Sequence, residues 1–172
     1  MFINTLPIIF QYTDAINPLE FLLFSSILFL VLYFSATDAV PETAPTRIIK
    51  TDFYQYLKQG WLGFMSLPAV FWPFFLIFNL AIFSADYLVK SGTFSISSWG
   101  NVHLMLAGPL IWWLVAVWRS QALSRVRLWN AASRFIVSAA LVEFLLRIFL
   151  RIELPRIFFS CDDLMINYYS CF

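Results

Sequence analysis

The chain has 172 residues, of which 61% are hydrophobic, 20% aromatic and only 12% charged, and its formal net charge is +1. Soluble domains carry about 25% charged residues, so this chain has too few to cover the surface of an ordinary soluble domain. The composition favours a protein surrounded by lipid or partner helices. A net charge near zero gives no field that would attract nucleic acid, and cations beside apolar segments suit anionic lipid headgroups better.

The N-terminal region is predicted to be an apolar arm followed by a first membrane span. Residues 1–16 contain Pro7 and lack the basic start of a signal peptide, so they are expected to contact the interface or a partner. Asn17, Pro18 and Glu20 then supply an N-cap, a proline at the first helical position and a capping-box glutamate. These signals predict a lipid-facing span over about residues 18–37.

A polar linker from Asp38 to Gly60 separates the first two apolar segments. Pro41 and Pro45 restrict its first half to extended or turn conformations. Aromatic residues alternate with polar ones from Thr51 to Leu57, which predicts a short interfacial helix leading to Trp61.

The second predicted span covers about residues 61–89. Its uncharged part is long enough, at about 1.5 Å of helix rise per residue, to cross a hydrocarbon core of roughly 30 Å. Pro68 and Pro73 are expected to bend it, while Asn79 lies deep inside and Asp86 near its far end.

The remaining sequence predicts two further spans and a tail. A Gly/Ser-rich turn from Ser91 to Gly100 leads to a third span over about residues 102–118. A fourth span covers about residues 128–150, and residues 151–172 form a C-terminal tail. The expected fold is therefore all-α and polytopic, with one four-helix transmembrane domain over residues 17–150.

Basic residues predict the orientation of this domain. The second connection holds Lys90 alone. The first and third connections hold most of the others, namely Arg47, Lys50 and Lys58 in the first and Arg119, Arg125, Arg127 and Arg134 in the third. The positive-inside rule places those two connections in the cytoplasm and both termini outside. Cations after the fourth span oppose this assignment, among them Arg151 and Arg156.

Both cysteines, Cys161 and Cys171, fall in the tail. With the termini outside a bacterial cytoplasm, they would lie where a disulfide can form, and two free thiols are the alternative. Their spacing resembles neither a zinc site nor a haem attachment sequence.

Glu143, Arg147 and Arg151 recur every four residues and therefore share one face of the fourth predicted helix. A lone charge in the bilayer is costly, so these residues should be paired or reach the interface. One interpretation is a proton relay or a stripe that fixes the register of a partner subunit. The alternative is a single Glu143–Arg147 salt bridge, with Arg151 reaching headgroups.

Aromatic and basic residues near the predicted span ends suit interface anchors, namely Trp61, Trp118, Arg119 and Trp129. Arg119 is expected to bind helix-terminal carbonyls and lipid phosphates. The deeper Trp72, Trp112 and Trp113 are expected to pack inside the protein or against a partner.

Catalytic and cofactor motifs do not stand out. The sequence lacks the common nucleophile, metalloprotease and phosphate-loop patterns, so an enzyme is not expected. His103 is the sole histidine; it is a possible haem or pigment ligand but is more simply a core residue. No cofactor or metal is therefore predicted.

Two segments resemble a group of small, uncharacterised bacterial inner-membrane proteins. Val117-Trp118-Arg119-Ser120 is similar to the end of that group's third span, and Gln59 to Leu67 is similar to the entrance of its second span. The similarity covers roughly residues 59–147, with Ala116 in place of the usual Gly and Gln121 in place of the usual Ala. It implies a bacterial inner membrane and a shared topology, and it implies no activity.

These observations lead to three hypotheses of function. The first is a non-enzymatic accessory or assembly subunit of a larger membrane complex, contacting other membrane subunits and lipid headgroups. The second is a small transporter or ion-conducting oligomer that uses Asn79, Asp86 and Glu143. The third is a haem- or pigment-associated subunit that binds through His103.

Overall fold

The computed structural model describes residues 17–36, 52–120 and 126–153, and within these ranges the regular elements are all helices. Within these ranges five helices follow one another: α1 (Pro18–Ser35), α2 (Phe53–Leu62), α3 (Leu67–Lys90), α4 (Ile96–Arg119) and α5 (Arg127–Glu153). The all-α prediction is confirmed for this part of the chain. The N-terminal arm, Cys161 and Cys171 lie outside it.

Helix α1 begins as its sequence predicts. The Asn17 side-chain oxygen accepts a hydrogen bond from the Leu19 N–H at 3.1 Å, and the Glu20 carboxylate accepts one from the Asn17 N–H at 3.3 Å. The capping box is therefore present. Most of α1 is exposed, and it packs on α5 through contacts such as Phe29 against Phe135.

The predicted second span is divided into two helices, and its expected start at Trp61 is wrong. Gly63 adopts the left-handed conformation (φ 77°) that ends α2, and its N–H bonds to the carbonyl of Gly60 at 3.0 Å. Helix α3 begins only at Leu67, with Pro68 in the first turn, where its missing N–H costs nothing. Trp61 therefore belongs to α2, which runs to Leu62.

Helix α4 starts at Ile96 instead of near residue 102, so the predicted turn from Ser91 to Gly100 is wrong over its second half. The Ser95 hydroxyl is the N-cap and accepts a hydrogen bond from the Ser98 N–H at 3.1 Å. Helix α5 continues to Glu153, beyond the predicted end of the fourth span.

The core lies between α3, α4 and α5, while α2 packs on α4. Its buried side chains are mainly large apolar and aromatic residues with two alanines among them: Leu67, Val70, Phe71, Phe78, Ile82, Leu110, Trp113, Ala116, Val117, Val137, Ala140 and Phe144. Trp113 and Phe71 are packed at 5.6 Å between ring centroids, which joins α3 to α4.

Among the helices that the structure describes, three are long and apolar enough to cross a membrane, over Pro18–Ser35, Leu67–Lys90 and Ser97–Arg119. Their exposed flanks carry large apolar side chains, such as Phe24, Leu80 and Met105. Helix α5 has the necessary length, but Arg134, Glu143 and Arg147 lower its hydropathy and it does not join this set.

Candidate functional site

The strongest candidate site is a charge cluster formed by Asp86 on α3 together with Glu143 and Arg147 on α5. All three residues are buried: Asp86 is 4% exposed, Glu143 2% and Arg147 1%. The cluster lies in the half of the bundle where α3 ends and α4 begins. Charged side chains buried this deeply must be paired, because desolvation of an isolated charge is very costly.

Arg147 is the centre of the charge cluster. Its Nη1 donates to both carboxylate oxygens of Asp86, at 3.0 Å and 2.9 Å, and its Nε donates to a carboxylate oxygen of Glu143 at 3.3 Å. The first contact joins two helices, whereas the second joins successive turns of α5. One guanidinium thus binds two carboxyl groups.

Trp99 brings α4 into the same network. Its indole N–H donates to an Asp86 carboxylate oxygen at 2.9 Å, and the residue is 1% exposed. Asp86 therefore accepts hydrogen bonds from α4 and from α5 at once. Because charge-assisted hydrogen bonds are among the strongest in proteins, this carboxylate holds the three core helices in one register.

His103 lies beside the charge cluster and is tightly enclosed. Its ring stacks on Trp99 with 3.6 Å between centroids, and Phe144 lies at 5.8 Å. Its Nδ1 bonds the Trp99 carbonyl at 2.9 Å, so Nδ1 carries the hydrogen, because a carbonyl can only accept. The buried Nε2 has no hydrogen-bond partner among the described residues. His103 is 1% exposed, so its imidazole is enclosed by protein.

The other residues predicted for the site lie apart from the charge cluster. The Asn79 amide donates to the Phe75 carbonyl at 2.7 Å, one turn back along α3. Arg151 lies one turn beyond Arg147 and is partly exposed near the end of α5. In the part of the chain that the structure describes, no group of three or more His, Cys, Asp or Glu side chains could hold a metal ion.

A second polar region, here called the arginine end, lies where α4 ends and α5 begins. Three guanidinium groups each cover an aromatic ring: Arg119 over Trp61 at 5.3 Å, Arg127 over Tyr33 at 5.1 Å, and Arg134 over Trp118 at 4.7 Å.

Two of these arginines also bind helix-terminal carbonyls. Arg119 Nη1 donates to the Trp61 carbonyl at 2.8 Å. This carbonyl belongs to the last turn of α2 and not to the helix that carries Arg119. Arg127 donates to the carbonyls of Tyr33 and Phe34 at 3.0 Å and 3.1 Å, and so attaches the end of α1 to α5. Trp129 is partly buried and stacks on Trp72 at 5.9 Å.

Helix α2 is fixed against α3 and α4 by specific contacts. The Tyr56 hydroxyl donates to the Ala69 carbonyl at 2.7 Å, and the Trp112 indole N–H donates to the Leu57 carbonyl at 3.1 Å. Burial raises the pKa of the Tyr56 phenol above its ordinary value. Gly60 permits this close approach, because an added Cβ would lie 2.6 Å from the Trp112 ring.

No family model, curated protein or solved structure matches this chain. The resemblance to small bacterial inner-membrane proteins therefore stays a prediction, and the site must be interpreted from its own chemistry.

Sequence reasoning identified all three charged members of the charge cluster and offered the Glu143–Arg147 pair as one alternative, but it did not place Asp86 against Arg147. It treated Asp86 as a transport residue, and it assigned Arg147 to a stripe on α5. The role of Trp99 was missed, because an indole near a span end also suits an interface anchor. One signal was available in the sequence. Asp86 is an isolated acid near the end of one apolar helix, and Arg147 lies with Glu143 in the last part of another, so a contact between Asp86 and Arg147 would remove both charges from lipid.

Proposed function

We propose that the chain is a non-enzymatic accessory or assembly subunit of a larger membrane protein complex. The observation that carries the proposal is the pairing of the buried charges with one another. Arg147 binds Asp86 and Glu143, so these polar groups stabilise the packing of the helices. The outer apolar flanks of α1, α3 and α4 are then the surfaces available to other membrane subunits and to lipid.

The membrane domain that we propose has four spans, formed by α1, α3, α4 and α5, with α2 at the interface. Pairing of the charges supports the fourth span, since the polar groups that lower the hydropathy of α5 are removed from lipid. Exposed aromatic side chains on α2, including Phe53, Tyr54 and Trp61, support its interfacial position.

The orientation that we propose places the arginine end in the cytoplasm and both termini outside. Lys58, Arg119 and Arg127 lie on the connections or helix ends of that side, with Arg134 two turns into α5, whereas Lys90 ends α3 and Arg151 lies near the end of α5 at the other. This distribution agrees with the positive-inside rule and supports a bacterial inner membrane.

Purification from native membranes tests the proposed role. The protein, tagged at low expression level, is extracted in a mild detergent, and co-purifying proteins are quantified by mass spectrometry. A membrane protein recovered at a fixed ratio supports the proposal when Leu80→Trp and Leu104→Trp, which enlarge side chains on the exposed flanks, reduce its recovery. Migration as a monomer without any co-purifying protein contradicts it.

A second candidate function, ion or proton transport, is favoured by one feature of the charge cluster. Two carboxyl groups share a single guanidinium, so Glu143 could exchange a cation while Arg147 stays bound to Asp86. Proton flux into proteoliposomes tests this function, with Glu143→Gln as the variant and Glu153→Gln as the matched control. Flux that both variants preserve equally excludes a transport role for Glu143.

A further inference from the structure

A shallow, open groove on the outer side of α4, whose described lining residues all belong to that helix, lies next to the arginine end. Leu114, Val115, Trp118 and Arg119 line it, and its volume is about 370 Å³. The first three lining residues offer an apolar wall over the last turns of the helix, and Arg119 stands at its end. No carboxylate is among the described residues that line the groove.

The guanidinium of Arg119 is held in position before any ligand arrives. One N–H bonds the Trp61 carbonyl at 2.8 Å, and the group lies over the Trp61 ring at 5.3 Å. A guanidinium has five N–H donors arranged in a fork, which suits bidentate binding of a phosphate. Immobilisation of the side chain reduces the entropy lost when an anion binds.

A second cation reinforces the positive potential at the groove. Arg134 lies over the ring of Trp118, 4.7 Å from its centroid, and Trp118 is itself part of the groove wall. The indole of Trp118 thus has a guanidinium on its face and another on the neighbouring residue. An anionic headgroup at this level would experience both charges.

We propose that this groove binds one anionic phospholipid, with an acyl chain along Leu114, Val115 and Trp118 and the phosphate on Arg119. Apolar walls alone would accept any lipid. The fixed guanidinium at the end of the groove adds a preference for a lipid whose headgroup carries net negative charge over a zwitterionic one. The proposal rests on the membrane position proposed above.

Lipid retention measured by native mass spectrometry tests the site. The purified protein in neutral detergent is incubated with palmitoyl-oleoyl phosphatidylglycerol or with phosphatidylcholine of the same chains. We expect one phosphatidylglycerol retained in preference to phosphatidylcholine. Arg119→Gln should reduce its affinity about tenfold, the ratio that loss of one charge-assisted hydrogen bond gives.

Three variants and a competitor make the result specific. Val115→Trp fills the groove without changing charge and should abolish the preference, whereas Val115→Ala should keep it and shows that substitution here is tolerated. Lys58→Gln removes a cation from the same end but outside the groove and should leave retention unchanged. Millimolar glycerol 3-phosphate should not displace the lipid.

Three results would overturn the lipid site. The first is equal retention of the two lipids, and the second is an equal loss of phosphatidylglycerol retention in Lys58→Gln and Arg119→Gln. The third is full displacement of the lipid by glycerol 3-phosphate together with no effect of Val115→Trp, a combination that would indicate a free-phosphate site. Each of these leaves the accessory role intact. Recovery of the protein in the soluble fraction without detergent would instead remove the membrane position on which both proposals rest.

Discussion

Replacement of Arg147 by methionine should be the most destabilising single substitution in the charge cluster. Arg147 is 1% exposed and donates three hydrogen bonds to carboxylate oxygens, so the substitution leaves Asp86 and Glu143 buried together without their cation. Removal of one partner from a buried ion pair costs about 3–5 kcal/mol. With two carboxyl groups affected we expect the upper part of that range, a large share of a typical stability of about 5–15 kcal/mol.

Reversible unfolding in mixed detergent micelles, followed by tryptophan fluorescence, measures this cost. Arg151→Met is the matched control, because Arg151 lies one turn further along α5 and is partly exposed. Combining Arg147→Met with Asp86→Leu and Glu143→Met should restore much of the stability, since apolar replacement of a whole buried charge network is often neutral. The reasoning is refuted if Arg147→Met and Arg151→Met unfold alike, or if the triple variant is the least stable of all.

Further substitutions test the other contacts, three by the same unfolding measurement and one by hydrogen exchange. Trp99→Phe keeps the ring but removes the donor to Asp86 and should cost about 1.5–3 kcal/mol, and a loss below 0.5 kcal/mol (roughly the noise of surface changes) would contradict the bond. Gly63→Ala should cost more than about 1 kcal/mol, because φ is 77° and the new Cβ would lie 2.8 Å from the Arg119 backbone. Gly100→Ala, in open space on α4, should instead be neutral or stabilising by about 0.5–1 kcal/mol. Arg127→Gln should loosen α1 from α5 and speed hydrogen exchange in the last turn of α1, whereas unchanged exchange there would show that other contacts hold it.

The capping signals in the sequence predicted the start of α1 but not the start of α4. Asn17 and Glu20 form the capping box that their spacing indicates. The start of α4 was missed because the Ser and Gly residues before residue 100 suit a turn as well as an N-cap, and only the position of Trp99 against Asp86 decides between them. The break at Gly63 was hidden because it falls within the uncharged run from Trp61 to Phe83.

The site depended on contacts between distant parts of the chain. The Glu143–Arg147 pair follows from the i,i+4 spacing within one helix. The Arg147–Asp86 contact joins residues 61 positions apart, and no periodicity encodes which faces of two apolar helices will meet. Arg119 shows the same limit: a carbonyl partner was expected, but it belongs to α2 rather than to the end of its own helix.

The proposed arrangement, in which four helices cross the membrane with the arginine end in the cytoplasm, makes a direct prediction about the sidedness of the helix ends. Single cysteines at Lys58, Lys90 and Glu153, each introduced after Cys161 and Cys171 are replaced by serine, test it through labelling by a membrane-impermeant maleimide in intact cells. We expect Lys90→Cys and Glu153→Cys to react without permeabilisation and Lys58→Cys to react only after it. Labelling of Lys58→Cys and Lys90→Cys from the same side, or of Lys90→Cys and Glu153→Cys from opposite sides, would contradict the four-span arrangement.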